Sequence, residues 1–381
     1  RTGTPVAVKL IRPRKPGQLG ALSREVAAHA RMEHPHIVSV HDFGITPEGA
    51  PGGAGQLWIA MDWRAGDTRE RLPPDWETVR RWAGQLLDAL SHAHALGVVH
   101  RDIKPGNLLL SADGTSVALA DFGLARSGSS QRSRVGTPAF IPPEQALGQL
   151  SRQGPWSDVY GVGAVVWSWL TDRPLFEAES VEEVFEAHLL REVPELDAVF
   201  PVPDGVEGWL RSCLAKHPLD RFGSAARALR GLEALEEESS DRTPKLRSTV
   251  ARAAEGNAAV WPFRLAPLVG RDGEFDQLVE GLDSARSRRK PVCVGVCGAE
   301  GTGRSHLVTH FAVAVSEADR AAVLELESAD SDGVRACLAE WMGNLEPDWV
   351  ADWCRTRLDD GVTARVRAFL EAPAQAHDPL D

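Results

Sequence analysis

Asp102, Lys104 and Asn107 stand together in His100-Arg101-Asp102-Ile103-Lys104-Pro105-Gly106-Asn107, and Asp121-Phe122-Gly123 follows. Two carboxylates and a carboxamide, with a lysine between them, are spaced for phosphoryl transfer. That reaction asks little covalent help of a protein. It needs an in-line hydroxyl, metal ions bridging the phosphates, and fixed positive charge where negative charge spreads. Asp102 can accept or orient a hydroxyl proton, and Lys104, two residues on, can meet a phosphate. Asn107 and Asp121 supply hard oxygen ligands of the kind Mg²⁺ prefers.

With its D-x-x-x-x-N spacing, the stretch closely resembles the catalytic and metal-binding loops of the bacterial eukaryotic-like (Hanks-type) protein kinases. A lysine two positions after the aspartate is the serine/threonine version of that loop. The resemblance implies ATP and Mg²⁺ as cofactors, with Asp102 and Lys104 catalytic and Asn107 and Asp121 on the metal. Protein serine and threonine hydroxyls would be the substrates.

The elements that must position these residues follow in the chain. Val6 to Ile11 alternates as a strand, with Val6, Val8 and Leu10 on one face and Ala7 and Lys9 on the other. In the family this strand carries the ATP-binding lysine, so Lys9 would hold the α- and β-phosphates and Ala7 would leave room for adenine. The segment from Leu22 to Met32 has helical spacing and carries Glu25, which the resemblance pairs with Lys9. His34-Pro35-His36-Ile37-Val38 resembles the family's turn into the next strand, and its histidines are read as structural. Gly44 to Gly55 reads as a hairpin loop before a strand from Leu57 to Trp63. By resemblance Met61 is the gatekeeper, and backbone groups around Asp62, Trp63 and Arg64 meet the adenine edge.

Asp75 can cap a helix with apolar positions Val79, Trp82, Leu86, Leu90 and Ala93, ended by Gly97, which delivers the catalytic loop. Gly136 to Glu144 resembles the end of an activation segment, with Pro142 in place of the more usual alanine. Thr137 would bond toward Asp102 and Lys104, and Ser127, Ser129, Ser130 and Ser133 precede it. Arg101 reads as a buried cation awaiting an anion, which in the family is an activation-segment phosphate. The run from Trp156 to Leu170 is apolar all round, hence a core helix. The resemblance makes Asp158 the grip on the catalytic-loop backbone and pairs Arg221 with Glu144.

Past Glu233 the chain turns acidic, then rich in Ser, Thr and Ala, and 236–265 reads as a linker. A second region starts near 266. Pro291 to Cys297 is expected to be a buried strand, with Cys293 and Cys297 in its core, leading into Gly298-Ala299-Glu300-Gly301-Thr302-Gly303-Arg304-Ser305 and an amphipathic stretch. Strand, glycine loop and helix are the context of a phosphate-binding loop, in which Gly298, Gly301, Gly303 and Arg304 would cradle phosphate and Ser305 reach Mg²⁺. The whole resembles the start of an AAA/STAND-type P-loop ATPase module, including the entry at Val269 to Glu274. Arg304 stands where that loop has lysine, and its planar fork places its donors differently.

The chain of 381 residues is long enough for two cores. Its 43% apolar and 25% charged content is that of an ordinary globular protein. A net charge of −12 argues against a general nucleic-acid or anionic-membrane surface. Five scattered cysteines without C-x-x-C spacing read as reduced, in keeping with a cytoplasmic location, and no apolar run reaches membrane-spanning length. Only eight residues precede Lys9, so a fragment is expected, without the glycine-rich loop and first two small-lobe strands.

The expected architecture is α+β: a two-lobed protein kinase fold over 1–235, the linker, then an incomplete α/β P-loop NTPase-like domain over 266–381. The expected function is phosphoryl transfer from ATP to protein Ser/Thr hydroxyls in signal transduction, with self-association through the P-loop module as a further expectation. The alternative is a pseudokinase scaffold whose output is nucleotide-dependent assembly.

Overall fold

Strand β1, Val6–Ile11, turns Ala7 and Ile11 toward a core and leaves Val6, Val8 and Leu10 exposed. The structure is a computed structural model. It describes residues 5–13, 18–50, 53–122, 138–149, 152–235, 268, 270–288, 292, 294–297 and 302–318. Strand β1 pairs antiparallel with β3, Leu57–Asp62, which pairs on its other edge with β2, Val40–Ile45. Helix α1, Gln18–Ala30, packs across β2 and β3. Its buried positions Leu22, Val26 and Ala30 recur every four residues, the spacing of one helix face. With Val38, Leu57, Ile59 and Met61 they form the smaller of two cores in this part of the chain.

The larger core is helical. Asp75 accepts the Thr78 N–H at 2.9 Å and opens α2, Trp76–Ala95. All five apolar positions expected on its inner face are buried, and Trp82 meets Trp169 edge-to-face, 5.5 Å between centroids. Gly97, at φ 73°, ends the helix in a conformation that costs glycine little. Against α2 lie α4, Pro155–Thr171, and α7, Ala225–Glu233. Helices α3, Pro143–Ala146, α5, Val181–Leu190, and α6, Val206–Cys213, complete the group. Helix α4 is buried on nearly every side, as its all-round apolar sequence requires. A Cβ at Gly161 would stand 2.7 Å from Ile103 Cβ, so only glycine lets this helix press on the loop that carries Asp102.

A short sheet, in the order β4, Gly66–Asp67, β5, Leu108–Leu110, and β6, Val117–Leu119, sits between the two cores. The His34–Val38 turn ties it to the small core. Val38 N–H donates to Leu119 O at 2.9 Å, Leu119 N–H donates to His36 O at 2.8 Å, and the His36 ring bonds Val117 O at 3.0 Å. These contacts give His36 the structural part expected of it.

Beyond residue 267, α8, Asp272–Arg288, and α9, Arg304–Glu317, share a small core of Phe275, Leu278, Leu307 and Ala314. The expected buried strand over Pro291 to Cys297 is not formed among the described residues. Residues 294–297 carry no strand pairing, Val292 and Val294 are 43% and 46% exposed, and Cys297 is exposed rather than in the core. The reason is that a single extended segment has no fold of its own. It needs neighbours for its N–H and C=O groups, and no described strand lies beside it. No helix among the described residues is long and apolar enough to cross a membrane.

Candidate phosphoryl-transfer site

The loop between α2 and β5 is shaped by one buried carboxylate. Asp158, in the first turn of α4, accepts the His100 N–H at 2.8 Å and the Arg101 N–H at 2.7 Å, and its third partner is His94 Nε2 at 2.8 Å. Burial opposes its ionisation. The hydrogen bonds that Asp158 makes to His94 and to the Arg101 N–H outweigh burial, so its pKa lies below the ordinary aspartate value. Arg101 stands at φ 67°, a left-handed conformation rare for a long side chain. Both its backbone groups are gripped, the N–H by Asp158 and the C=O by Gln145 Nε2 at 3.0 Å. Strain of this kind persists where the surroundings over-determine it. Arg101 itself is half-buried, less enclosed than expected.

His100 is a fixed strut. Burial pushes its imidazole pKa below the ordinary histidine value. With Nε2 bonded to Ala120 O at 2.8 Å and Nδ1 accepting the Asp102 N–H at 3.2 Å, its tautomer is determined. The ring also meets Phe122 edge-on, 4.6 Å between centroids, and Phe122 contacts His29 of α1 at 5.1 Å. Thus the Asp121-Phe122 segment is wedged between the catalytic-loop histidine and the small core.

The polar side chains converge as the sequence requires. Lys104 Nζ donates to Asp102 Oδ2 at 2.6 Å. Asn107 Nδ2 donates to Asp102 O at 2.8 Å and to Oδ2 at 3.0 Å. Both amide protons are used on Asp102, which leaves the Asn107 carboxamide oxygen for a cation. Lys9 Nζ, projected by β1, donates to Asp121 Oδ1 at 2.6 Å, and both side chains are about one-third exposed. Asp121 is the second left-handed residue of the site, at φ 66°. A carboxylate, a carboxamide oxygen and two ammonium groups form a donor set suited to a metal-bound polyphosphate.

Of the residues expected on the adenine side, Ala7 and Met61 are directly paired across β1 and β3, so they share a face. Met61 is buried, and Asp62 is held by His41 Nε2 at 2.7 Å, while Trp63 is 58% exposed. Glu25 lies on α1, but its side chain falls outside the described residues, as do Thr137, the four activation-segment serines, Gly298 and Gly301. Gly303, at φ 80°, immediately precedes α9, so Arg304 and Ser305 occupy its first turn.

Two supporting residues escape a reading of the sequence: His94, on Asp158, and Gln145, on Arg101. Each acts on a partner dozens of positions away, and neither spacing has a local signature. Glu144 and Arg221 do meet as expected, with Arg221 Nη1 and Nη2 each 2.9 Å from a carboxylate oxygen.

A protein kinase domain model matches residues 1–231. The serine/threonine-protein kinase pkn3 of Myxococcus xanthus is 33% identical over 261 residues, 63% of this chain and 45% of that protein. PkaA of Streptomyces coelicolor, also a serine/threonine-protein kinase, is 35% identical over 250 residues, 62% of this chain and 44% of its own length. PknK of Mycobacterium tuberculosis, a third serine/threonine-protein kinase, is 36% identical over 217 residues, 53% of this chain and 19% of the relative. The chain therefore spans less than half the length of these curated relatives.

Proposed function

The chain belongs to the protein kinase family, and on that premise we propose that it transfers the γ-phosphoryl group of ATP to serine and threonine hydroxyls of proteins, in signal transduction. The observation that carries this reading is the convergence of Lys104 and Asn107 on Asp102, with Lys9 on Asp121, in a loop held by Asp158. Asp102 orients and accepts the proton of the substrate hydroxyl. Lys104 sits 2.6 Å from that carboxylate, where charge on the transferring group is balanced. Lys9 holds the α- and β-phosphates, and Asn107 and Asp121 hold Mg²⁺. The metal, when bound, neutralises charge on the β- and γ-phosphate oxygens. Ala7 and Met61 border the adenine, with the backbone of Asp62 and Trp63 at its edge, Glu25 steadies Lys9, and Thr137 seats the substrate hydroxyl. The test is transfer of labelled phosphate from ATP to a generic Ser/Thr protein substrate by the full-length product. Absence of transfer beside a nucleotide-dependent assembly would favour the scaffold reading.

We assign the kinase domain to 1–235, a linker to 236–265, and an AAA/STAND-type P-loop module to the region from 266. Supporting the module are the start of α9 directly after the glycine loop and a tie from its entry motif, Arg271 Nη2 donating to Thr302 O at 3.0 Å. Self-association through it belongs to the same reading, as does a cytoplasmic location. Arg304→Lys separates a nucleotide switch from a degenerate loop. The switch predicts that the wild-type module binds ATP and hydrolyses it slowly, and that the lysine variant turns over faster. With Asp102→Asn silencing the kinase, equal turnover by the two forms would remove the arginine argument, and no nucleotide binding by either would make the loop a scaffold.

The activation segment should be phosphorylated by the enzyme itself, at one or more of Ser127, Ser129, Ser130 and Ser133, with activity rising afterwards. A phosphate there would be received by Arg101, whose backbone is clamped beside Asp102. Thr137 is not expected to be the switch, since its hydroxyl is wanted at the site. Phosphopeptide mapping that finds the segment unmodified in active enzyme would overturn this.

A further inference from the structure

Helix α9 does not stand apart from the kinase core. It packs directly on α2, and its C-terminal end is met by two side chains of that core. Arg230, on α7, donates Nη1–H to Ala318 O at 3.0 Å, placing a cation where the helix's last carbonyls concentrate negative charge. His92, on the last turn of α2, has its Nδ1 3.5 Å from Glu317 Oε1. The His92 side chain is 6% exposed, and neither ring nitrogen makes a hydrogen bond among the described residues. Burying such a group without an electrostatic partner is unfavourable, and Glu317 is the acid that faces it. On its other side the ring stacks on His34, 5.3 Å away, which in turn pairs with Asp88 Oδ2 at 3.2 Å.

What α9 presses on matters. His92 lies two residues before His94, and His94 is the side chain that bonds Asp158. Asp158 in turn fixes the His100 and Arg101 N–H groups that set the backbone of Asp102. A continuous physical path therefore runs from the end of α9, through the last turn of α2, to the loop expected to transfer phosphate.

We propose that the surface formed by His92 and Arg230 is an intramolecular docking site for the C-terminal end of α9, and that its occupation supports the catalytic loop in the active arrangement. His92 and Arg230 are positioning residues. The docking is independent of whether the loop before α9 binds nucleotide, whereas its effect on turnover rests on the phosphotransfer reading.

The experiment uses the full-length protein with Glu317→Ala, Arg230→Ala and the double variant, since replacing the buried His92 could disturb folding. Amide hydrogen exchange is followed over residues 304–318 and 98–107, and kcat and KM for ATP are measured. The expected result is exchange of 304–318 about tenfold faster and measurable loss of protection in 98–107. Turnover should fall about three- to tenfold, the scale of coupling carried through packed elements, with KM for ATP within about twofold. The double variant should be no worse than the poorer single one, because both remove one docking event. Unchanged protection of 304–318 in both single variants would overturn the docking site. A released α9 with unchanged or raised kcat would overturn the supporting role. A wild-type protein with no phosphotransfer would sink the phosphotransfer reading instead, and exchange at 98–107 would still report whether α9 reaches the loop.

Discussion

Asp102→Asn should lower kcat by about 10²- to 10⁴-fold, the range supplied by a positioned acid–base group, and leave ATP affinity nearly unchanged. The carboxamide is isosteric, so Asn107 Nδ2 keeps the Asp102 backbone carbonyl, 2.8 Å away, as an acceptor. What disappears is the anionic oxygen that Lys104 contacts at 2.6 Å and that would receive the hydroxyl proton. Lys9, Asn107 and Asp121, the proposed holders of Mg·ATP, remain. Asp121→Asn should behave in the opposite way. It removes the carboxylate charge paired with Lys9 at 2.6 Å and the hard anionic ligand proposed for the metal, so Mg·ATP binding itself should weaken. Nucleotide affinity by calorimetry and single-turnover rates separate the two variants. An Asp102→Asn protein that phosphorylates a substrate at the wild-type rate would make the assignment of this site wrong.

How far the sequence disclosed this site depends on the range over which each residue acts. The chemistry-bearing residues between His100 and Asp121 are near neighbours in the chain, and among them Lys104 and Asn107 meet Asp102. The same holds for α2, whose capping aspartate, apolar stripe and terminal glycine are local signals, each with a local cause. Asp158, Glu144 and Arg221 are long-range partners, legible only because the resemblance says what such residues meet. His94 and Gln145 have no comparable signature, and their partners emerge only when α2, α3 and α4 are packed. Local pattern misled at the described residues of the 291–297 run, 292 and 294–297, which form no strand. A valine-rich run between a polar stretch and a glycine loop has strand character, but strand formation is settled by neighbouring strands, which lie beyond what seven residues encode.

Arg221→Met should destabilise the kinase core by about 3–5 kcal/mol, the penalty for leaving one partner of a buried ion pair uncompensated. Arg221 and Glu144 are both nearly inaccessible, with side chains 0% and 3% exposed. Arg221 donates to both carboxylate oxygens at 2.9 Å, and it also donates to the carbonyls of Ala215 at 2.7 Å, Lys216 at 3.0 Å and Trp156 at 3.2 Å. Glu144 further accepts the Ser157 hydroxyl at 2.6 Å. The single variant therefore strands a carboxylate and three carbonyls at once. Since Ser157 and Asp158 share the first turn of α4, the disturbance reaches the grip on the catalytic loop, and activity should fall along with stability. Arg221→Lys should recover little, because a point-like ammonium cannot span two carboxylate oxygens and three carbonyls together. Replacing both partners, with Glu144→Leu and Arg221→Met, should be milder than either single change, because no charge is then left buried without its counterpart. Urea midpoints with the unfolding slope held constant give the comparison. A single Arg221→Met variant within about 1 kcal/mol of wild type, the ceiling for an exposed pair, would mean that this buried cluster contributes no more than a surface contact.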